Sequence, residues 1–530
     1  MLQDIDSSEI PQSWLILAQK VSESPFDFPA WQELIEHTET LPSTNPRKKD
    51  RLNKYSNKQH IKLLFIAYEN LLIQFPYLEQ YWVNFAEWKW KLDPETDISD
   101  DDDNGDYTTA DDIYKRALSI IPSSIVVWEA YIDYALNVKN TTEHILHIFQ
   151  DAVTEVGYHF YSHTIYDKFL DFLKQHDMSK YYHLLLRRII EIPLYHYSKY
   201  FKLWLHLIDT ADLTTIKYMI TQPDLEKYYK LKYRDLIKEE TFKTLKINLR
   251  KTFLDVYITT QFNVFQMFNF EKKFGTPYFE PNAELTREEL NNWNSYLQYI
   301  ELVTLKKLKD PVVNKNNKKL VDTIYERCFI RTNQYPNFWI KYSNHKLNLG
   351  ETEAAKDILL KGSYFNPIGN TKLKMRLIDL ELLDGHLKLA KSYVLELINV
   401  IPNNLEVFLK LLEVEKLTGD ISAGTNFLKL ISWKLSDVKG TEYEGQFDYL
   451  FVELLSYTNL NLEQLEKFFN SHKKDKLNRS YYYTKAILQF YTFYKQDNGK
   501  LQAVEAQITN AIFRKKFNIR DTDNDDFFPI

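Results

Sequence analysis

Glycine is scarce in this chain, with 12 among 530 residues, and that scarcity removes whole classes of protein. Tight hairpins and phosphate-cradling loops both depend on glycine's access to positive φ, so hairpin-rich β folds and nucleotide-binding α/β folds are disfavoured together. Prolines number only 17, which leaves room for long helices joined by short polar loops. A single cysteine, Cys328, forms neither an intramolecular disulfide nor a cysteine-based zinc site, and it fits a reducing compartment. No long apolar run of membrane-spanning length occurs, and the opening MLQDIDSSEI is acidic rather than charged-then-apolar. The expectation is a soluble intracellular protein without membrane contact. Positive charge is not in excess either: 67 basic residues face 73 acidic ones, net −6, so no overall field draws the chain onto nucleic acid, although local patches still can.

What the chain does have is aromatic mass. Tyr 37 and Phe 33 contribute to an aromatic content of 15%, enough apolar surface to exclude disorder across the whole chain. At this length, several domains or one elongated repeat array are the alternatives. Self-similarity decides for the array. AYENLLIQFP, ending at Pro76, and IYKRALSIIP, ending at Pro122, place apolar or small residues at the same offsets: Ala67, Tyr68, Leu71, Leu72 and Phe75, then Ile113, Tyr114, Ala117, Leu118 and Ile121. LLLRRIIEIP repeats most of this with Leu184, Leu185, Ile189, Ile192 and Pro193, and YVLELINVIP with Tyr393, Val394, Leu397, Ile398, Ile401 and Pro402. Such offsets draw one stripe along a helix, and the proline closes it.

After each stop comes an aromatic followed three residues later by a second large apolar residue. The pairs are Trp31 with Leu34, Trp82 with Phe85, Trp128 with Tyr131, Tyr166 with Phe169, Phe201 with Trp204, Trp293 with Tyr296, Trp339 with Tyr342, and Phe408 with Leu411. A degenerate member falls near Lys374 and Leu377. The repeating unit is a pair of antiparallel helices, A carrying the aromatics and B the stripe, and such hairpins bury their faces only by stacking on neighbours. The fold expected is therefore all-α, a superhelical array of helix-turn-helix repeats in two arms. The boundaries expected are an N-terminal array at 1–209, interrupted by an acidic loop at 94–109 that overlaps the acidic stretch 97–112; a helical bridge at 210–285, including the charged stretch 227–251; a C-terminal array at 286–475; and helices with an acidic tail at 476–530, where Phe527 and Phe528 can dock.

Those residues and spacings resemble the half-a-tetratricopeptide (HAT) repeat, whose helix B often carries a Tyr-x-Arg-Ala-type core, as in IYKRAL at 113–118 and IYERCF at 324–329. The ordered set EIPLYHYSKYF at 191–201, FEKKFGTPYF at 270–279, LNNWNSYL at 290–297, IYERCFIRTNQYPNFWIKYS at 324–343 and GNTKLKMRLIDLELLDGHLKLAK at 369–391 is similar to the pre-mRNA-processing factor 39 family, over about residues 75–470. QFPYLEQYW at 74–82 leans instead towards its yeast paralogue, factor 42. The resemblance implies a nuclear, non-catalytic protein-binding scaffold of the U1 small nuclear ribonucleoprotein, acting in splicing and 5′ splice-site recognition. It also implies U1 snRNP proteins as partners, a HAT-repeat partner held as homodimer or heterodimer through the C-terminal array, and contact with U1 RNA and pre-mRNA mainly through other proteins. The alternatives are a HAT scaffold of another RNA-processing complex, in 3′-end processing or ribosome biogenesis, and a direct RNA-binding repeat protein.

No catalytic motif occurs: no P-loop, no H-E-x-x-H and no paired cysteines, so neither an enzyme nor a cofactor or metal site is expected. His144 and His147 share a helical face but lack a third ligand. Cys328 takes the stripe position held by Ala117 elsewhere, a packing role. The repeated aromatics read as core rather than base-stacking platforms, given their regular inward register. Basic clusters at 47–51, 227–251, 306–319 and 473–479 read as solvated faces, the middle two also as contacts for nucleic acid or an acidic partner, and Arg47, Lys48, Lys49 and Arg51 as an alternative import signal. Phe447, Tyr449, Phe451, Tyr482 and Phe490 are expected either to close the last repeat's core or to enter a partner across a dimer interface.

Overall fold

The computed structural model describes residues 10–40, 51–92, 109–138, 141–275, 281, 283–304, 311–366, 370–418, 423–456 and 461–516. Among them every regular element is helical. The chain divides into two compact units, Met1–Asn333 and Gln334–Ile530. In the first, ten helices run as successive neighbours: α1 (Gln12–Glu23), α2 (Phe28–Glu39), α3 (Lys58–Gln74), α4 (Glu79–Leu92), α5 (Ala110–Ile120), α6 (Ile125–Val138), α7 (Thr142–Val156), α8 (His163–Gln175), α9 (Ser179–Ile189) and α10 (Tyr197–Thr210). Short α11 (Ile216–Met219) and α12 (Gln222–Tyr229) then lead through a 3₁₀ turn to the long α13 (Glu239–Glu271), followed by α14 (Arg287–Thr304) and α15 (Pro311–Thr332). The second unit holds α16 (Pro336–Asn348), α17 (Thr352–Phe365), α18 (Asn370–Leu383), α19 (Leu387–Val400), α20 (Leu405–Thr418) and α21 (Ala423–Asp437). Six further helices complete it: α22 (Glu444–Phe447), α23 (Leu450–Leu454), α24 (Leu462–Lys476), α25 (Tyr481–Gln489), α26 (Asn498–Gln507) and α27 (Ala511–Lys516).

Packing follows chain order. Each helix from α16 to α20 packs on the next, and A helices also touch the A helix of the following repeat, as α4 does α6 and α16 does α18. The proline stops explain the hairpin geometry. Phe75, Ile121 and Ile401, each just before a proline, leave helical geometry with φ between −132° and −122° and ψ near 70°, while their N–H groups still donate to Leu71, Ala117 and Leu397. The proline carbonyl then acquires a partner: the indole N–H of Trp82 donates to the Pro76 carbonyl and that of Trp128 to the Pro122 carbonyl, both at 2.9 Å. Trp31 makes the same bond to Pro25, also at 2.9 Å. A proline six residues before a tryptophan thus ties the end of one helix to the ring of the next.

Three details depart from the sequence reading. In LLLRRIIEIP the helix ends at Ile189, several residues before Pro193, so Leu186 is buried and Leu184 is 47% exposed. In YVLELINVIP, Ile401 is 36% exposed, unlike its buried counterparts Phe75 and Ile121. The acidic stretch 97–112 is also shorter than read: Thr109 caps α5 in a reciprocal box with Asp112, and Asp111 is buried, accepting from Tyr131 at 2.9 Å. Most of the 94–109 loop, residues 47–50 and the tail 521–530 lie outside the described residues.

In the A-to-B turns of the second unit, Gly350 (φ 81°) and Gly385 (φ 82°) adopt the left-handed conformation that ends a helix without a Cβ clash; between α8 and α9, Asp177 (φ 55°) occupies that role.

Candidate protein-binding surface

The aromatic pairs are enclosed. Trp31, Trp82, Phe85, Trp128, Tyr131, Tyr166, Phe169, Phe201, Trp204, Trp293, Tyr296, Trp339, Tyr342 and Phe408 are all buried. They stack on their neighbours within the same array, Tyr68 on Phe85 at 5.6 Å and Phe149 on Phe169 at 4.7 Å. Buried tyrosines beside them donate to carboxylates on adjacent helices, Tyr68 to Glu39 at 2.6 Å and Tyr200 to Asp167 at 2.9 Å. Rings so placed offer no face to a ligand. In the degenerate repeat Leu373 and Leu377 fill the core and Lys374 pairs with Glu396 at 2.5 Å, so the aromatic is replaced by aliphatic packing.

Charge is concentrated where the N-terminal repeats meet α13–α15. Arg327, from IYERCF, grips the fully buried Glu271 with both guanidinium nitrogens, at 2.5 and 2.7 Å, and Tyr296 donates to the same carboxylate at 3.0 Å. The rings of Tyr161, Trp293 and Phe274 surround the guanidinium at 5.7 to 5.8 Å. Burial opposes the Arg327 charge, but Glu271 more than offsets it and holds the group above its ordinary pKa. A cavity of about 420 Å³ adjoins this pair, lined also by Glu79, Ser123, His159 and Arg331. Burial drives His159 well below its ordinary pKa, so it is neutral at pH 7. Glu79 moves the other way: desolvation raises its carboxyl to about 7 despite a hydrogen bond from Ser124. Motif spacing marked Arg327 only as one more repeat arginine. Its counterpart Arg116 has a side chain 41% exposed and lies 3.9 Å from Glu69, so the same Ile-Tyr-x-Arg pattern gives a surface ion in one repeat and a buried anchor in another.

An open groove of about 1,160 Å³ runs between α9, α11, α12, α13 and α15. Its floor is apolar, from Met219, Ile220, Leu249, Phe253 and Val256, and its walls carry Arg187, Arg188, Lys217, Lys315 and Lys319 against two acids, Glu191 and Asp224. The basic stretches 227–251 and 306–319 flank it only in part: Lys246 donates instead to the Asp209 backbone carbonyl at 2.9 Å, and Arg250 to the Asp209 carboxylate at 3.0 Å. In the last cluster, Lys476 is internal, bound to Glu444 and Asp448 at 2.6 Å each.

Among the five residues offered for a dimer interface, Phe447, Phe451 and Phe490 are fully buried in the core of their own unit and therefore close that unit rather than face outward. Tyr449 and Tyr482 are more accessible and meet edge to face at 5.5 Å. Exposed apolar surface in this unit lies elsewhere, at Tyr364, Leu383, Val400, Leu417 and Trp433, 53 to 81% exposed. In the first unit α13 shows a second such strip, Ile247, Leu254, Ile258, Phe262 and Phe265, opposite the face that buries Leu249, Phe253 and Val264.

Cys328 is buried, its sulfur 3.2 Å from Thr332 Oγ1. His144 is half-buried and His147 exposed. Among the described residues no group of three or more His, Cys, Asp or Glu could hold a metal ion, and no helix is long and apolar enough to cross a membrane.

Successive two-helix units with aromatic A helices and proline-closed B helices define a helical-repeat protein of the HAT type. Residues 16–206 match the family described as PRP39 N-terminal HAT repeat, and residues 265–417 the PRP39 C-terminal HAT repeat. The chain belongs to the PRP39 family. It is 26% identical to the Saccharomyces cerevisiae U1 small nuclear ribonucleoprotein component PRP42, over 67% of this chain and 61% of that one. With pre-mRNA-processing factor 39 of Schizosaccharomyces pombe it shares 22% identity over 76% of this chain and 63% of that one, and with the factor 39 of Xenopus laevis 20% over 95% and 75%. The chain thus spans about three fifths of the length of the two yeast relatives.

Proposed function

We propose that this protein is a non-catalytic, protein-binding scaffold of the U1 small nuclear ribonucleoprotein, acting in the nucleus in pre-mRNA splicing and 5′ splice-site recognition. The observation that carries the reading is the pair of family matches at 16–206 and 265–417, joined to relatives whose names are a U1 component and pre-mRNA-processing factors. The disposition of side chains supports it: the large aromatics are spent on packing, and the exposed apolar strips and basic groove suit protein partners. The four-part division of the chain belongs to this proposal, as does pairing with a second copy or a related HAT protein through the C-terminal array. For that pairing the exposed apolar residues of the second unit, among them Leu383, Val400, Leu417 and Trp433, are the candidates, since Phe447, Phe451 and Phe490 are enclosed. RNA is reached mainly through partners.

The test is purification of the tagged full chain from its own cells under mild salt, with the RNAs and proteins identified. Copurification of U1 RNA with U1 proteins and a HAT-repeat partner is expected. Recovery of a 3′-end-processing or ribosome-assembly complex without U1 RNA would replace the assignment. Sequence-selective, nanomolar RNA binding by the chain alone would make it an RNA reader instead.

A further inference from the structure

We infer that the groove between α9, α11, α12, α13 and α15 seats an acidic, partly apolar peptide segment of a partner protein. The inference rests on the scaffold reading and names the chemistry of one of its partners. At about 1,160 Å³ the groove exceeds the roughly 300–1,000 Å³ of small-molecule pockets, which points to a chain segment as occupant. Its lining is asymmetric in charge, with Arg187, Arg188, Lys217, Lys315 and Lys319 against Glu191 and Asp224. Both acids are already engaged: Glu191 accepts from Arg187 at 2.6 Å, and Asp224 accepts from the Thr221 hydroxyl at 2.6 Å at the start of α12. Arg187 also lies over the Phe253 ring at 4.8 Å and Arg188 over Tyr158 at 5.8 Å, so two guanidinium groups are held in place by aromatic faces. Among the described residues no carboxylate lies within ion-pair distance of Lys217, Lys315 or Lys319, three ammonium groups from two different walls. Lys319 already interacts electrostatically with Glu155, but none of the three ammonium groups is held in an ion pair among the described residues, so incoming carboxylates can reach them.

The apolar floor decides between acidic ligands. A single-stranded RNA would present phosphates to the lysines but would need ring faces on which to stack its bases. Met219, Ile220, Leu249 and Val256 offer aliphatic surface, whereas the rings in the lining are already engaged: Phe253 is buried under Arg187 at 4.8 Å, Tyr218 lies 6.1 Å from His183, Tyr228 carries Lys227 over its exposed ring at 4.9 Å, and Tyr229 is tied through its hydroxyl to Thr252 at 3.0 Å. A peptide that alternates acidic with aliphatic side chains satisfies walls and floor together.

The experiment uses the purified full chain and a fluorescein-labelled peptide of about twelve alternating aspartate and leucine residues, read by anisotropy at about 150 mM salt. Lys315→Glu with Lys319→Glu should weaken binding at least about tenfold, and Lys217→Glu, on another wall, should weaken it in the same direction. Lys272→Glu with Lys273→Glu, an equal charge change at exposed positions outside the groove lining, should change it less than about twofold. Unchanged circular dichroism melting is required of each variant. Four results overturn the inference: no binding by the parent chain; equal loss in both double variants; displacement of the peptide by a single-stranded RNA of similar length at lower concentration; or binding that emerges only when residues 97–106 are deleted, which would assign the groove to the chain's own acidic segment. None of these would touch copurification with U1 RNA, so failure here and failure of the scaffold assignment are separate.

Discussion

Glu79 and Arg327 line the same cavity, and each carries a consequence that its sequence position does not announce. The Glu79 carboxyl rises from 4.5 to about 7 because burial penalises its charge. A carboxyl with a raised folded pKa stabilises the fold fully only below its unfolded pKa; between about pH 4.5 and 7 the unfolded chain ionises first and stability is lost. Glu79→Gln should therefore match the parent near pH 4.5 and exceed it by about 2–3 kcal/mol above pH 7, as measured by denaturant unfolding across that range. A constant offset at every pH would mean that the carboxyl is not desolvated. Arg327 acts in the opposite sense. Arg327→Ala leaves Glu271 buried without its cation, and a loss of about 3–5 kcal/mol is expected from thermal or urea unfolding of the full chain. Arg327→Met with Glu271→Leu should recover part of that loss, since both buried charges are then gone.

At the scale of the helix, the proline stops and aromatic spacings were legible because they are local: a residue before proline leaves helical geometry wherever it sits in the fold. The failures were also physical. Leu184 and Leu186 both fit an apolar stripe, and only the early end of α9 selects the second. In α17 the interior Gly362 has no local reason to be glycine. A Cβ there would lie 2.7 Å from the ring of Trp339 on the preceding helix, so α16 and α17 approach closely only because the side chain is missing. Gly362→Ala gains about 0.5–1 kcal/mol of helix preference but meets overpacking of about 1–3, so a net loss of about 1 kcal/mol or more is expected, visible as a lower Tm and a changed Trp339 fluorescence. A stabilised variant would mean that the ring moves aside at little cost.

For the whole molecule, the enclosed rings and the exposed apolar strips have different jobs, and mutation separates them. Val400→Ser with Trp433→Ser removes exposed apolar surface from the second unit, where truncation leaves no cavity. The expected outcome is a Tm within about 2 °C of the parent, because exposed substitutions shift stability by about 0.5 kcal/mol or less. Pairing with a second copy or a HAT partner, read by light scattering, should weaken at least about tenfold. If pairing is unaffected, another face carries it.

The sequence by itself determined the helical repeat, its aromatic register, its proline punctuation and its resemblance to the PRP39 family, because all of these are written in residues a few positions apart. Tertiary structure decided which of two corresponding motif arginines is buried, since Arg327 meets Glu271 of α13 and the rings of α14 whereas Arg116 lies at the surface beside Glu69. It also decided that Phe447, Phe451 and Phe490 close their own core, and that Arg187, Lys217, Lys315 and Lys319, far apart in the chain, line one groove. Burial and charge proximity depend on which distant helices meet, and local sequence pattern does not fix that.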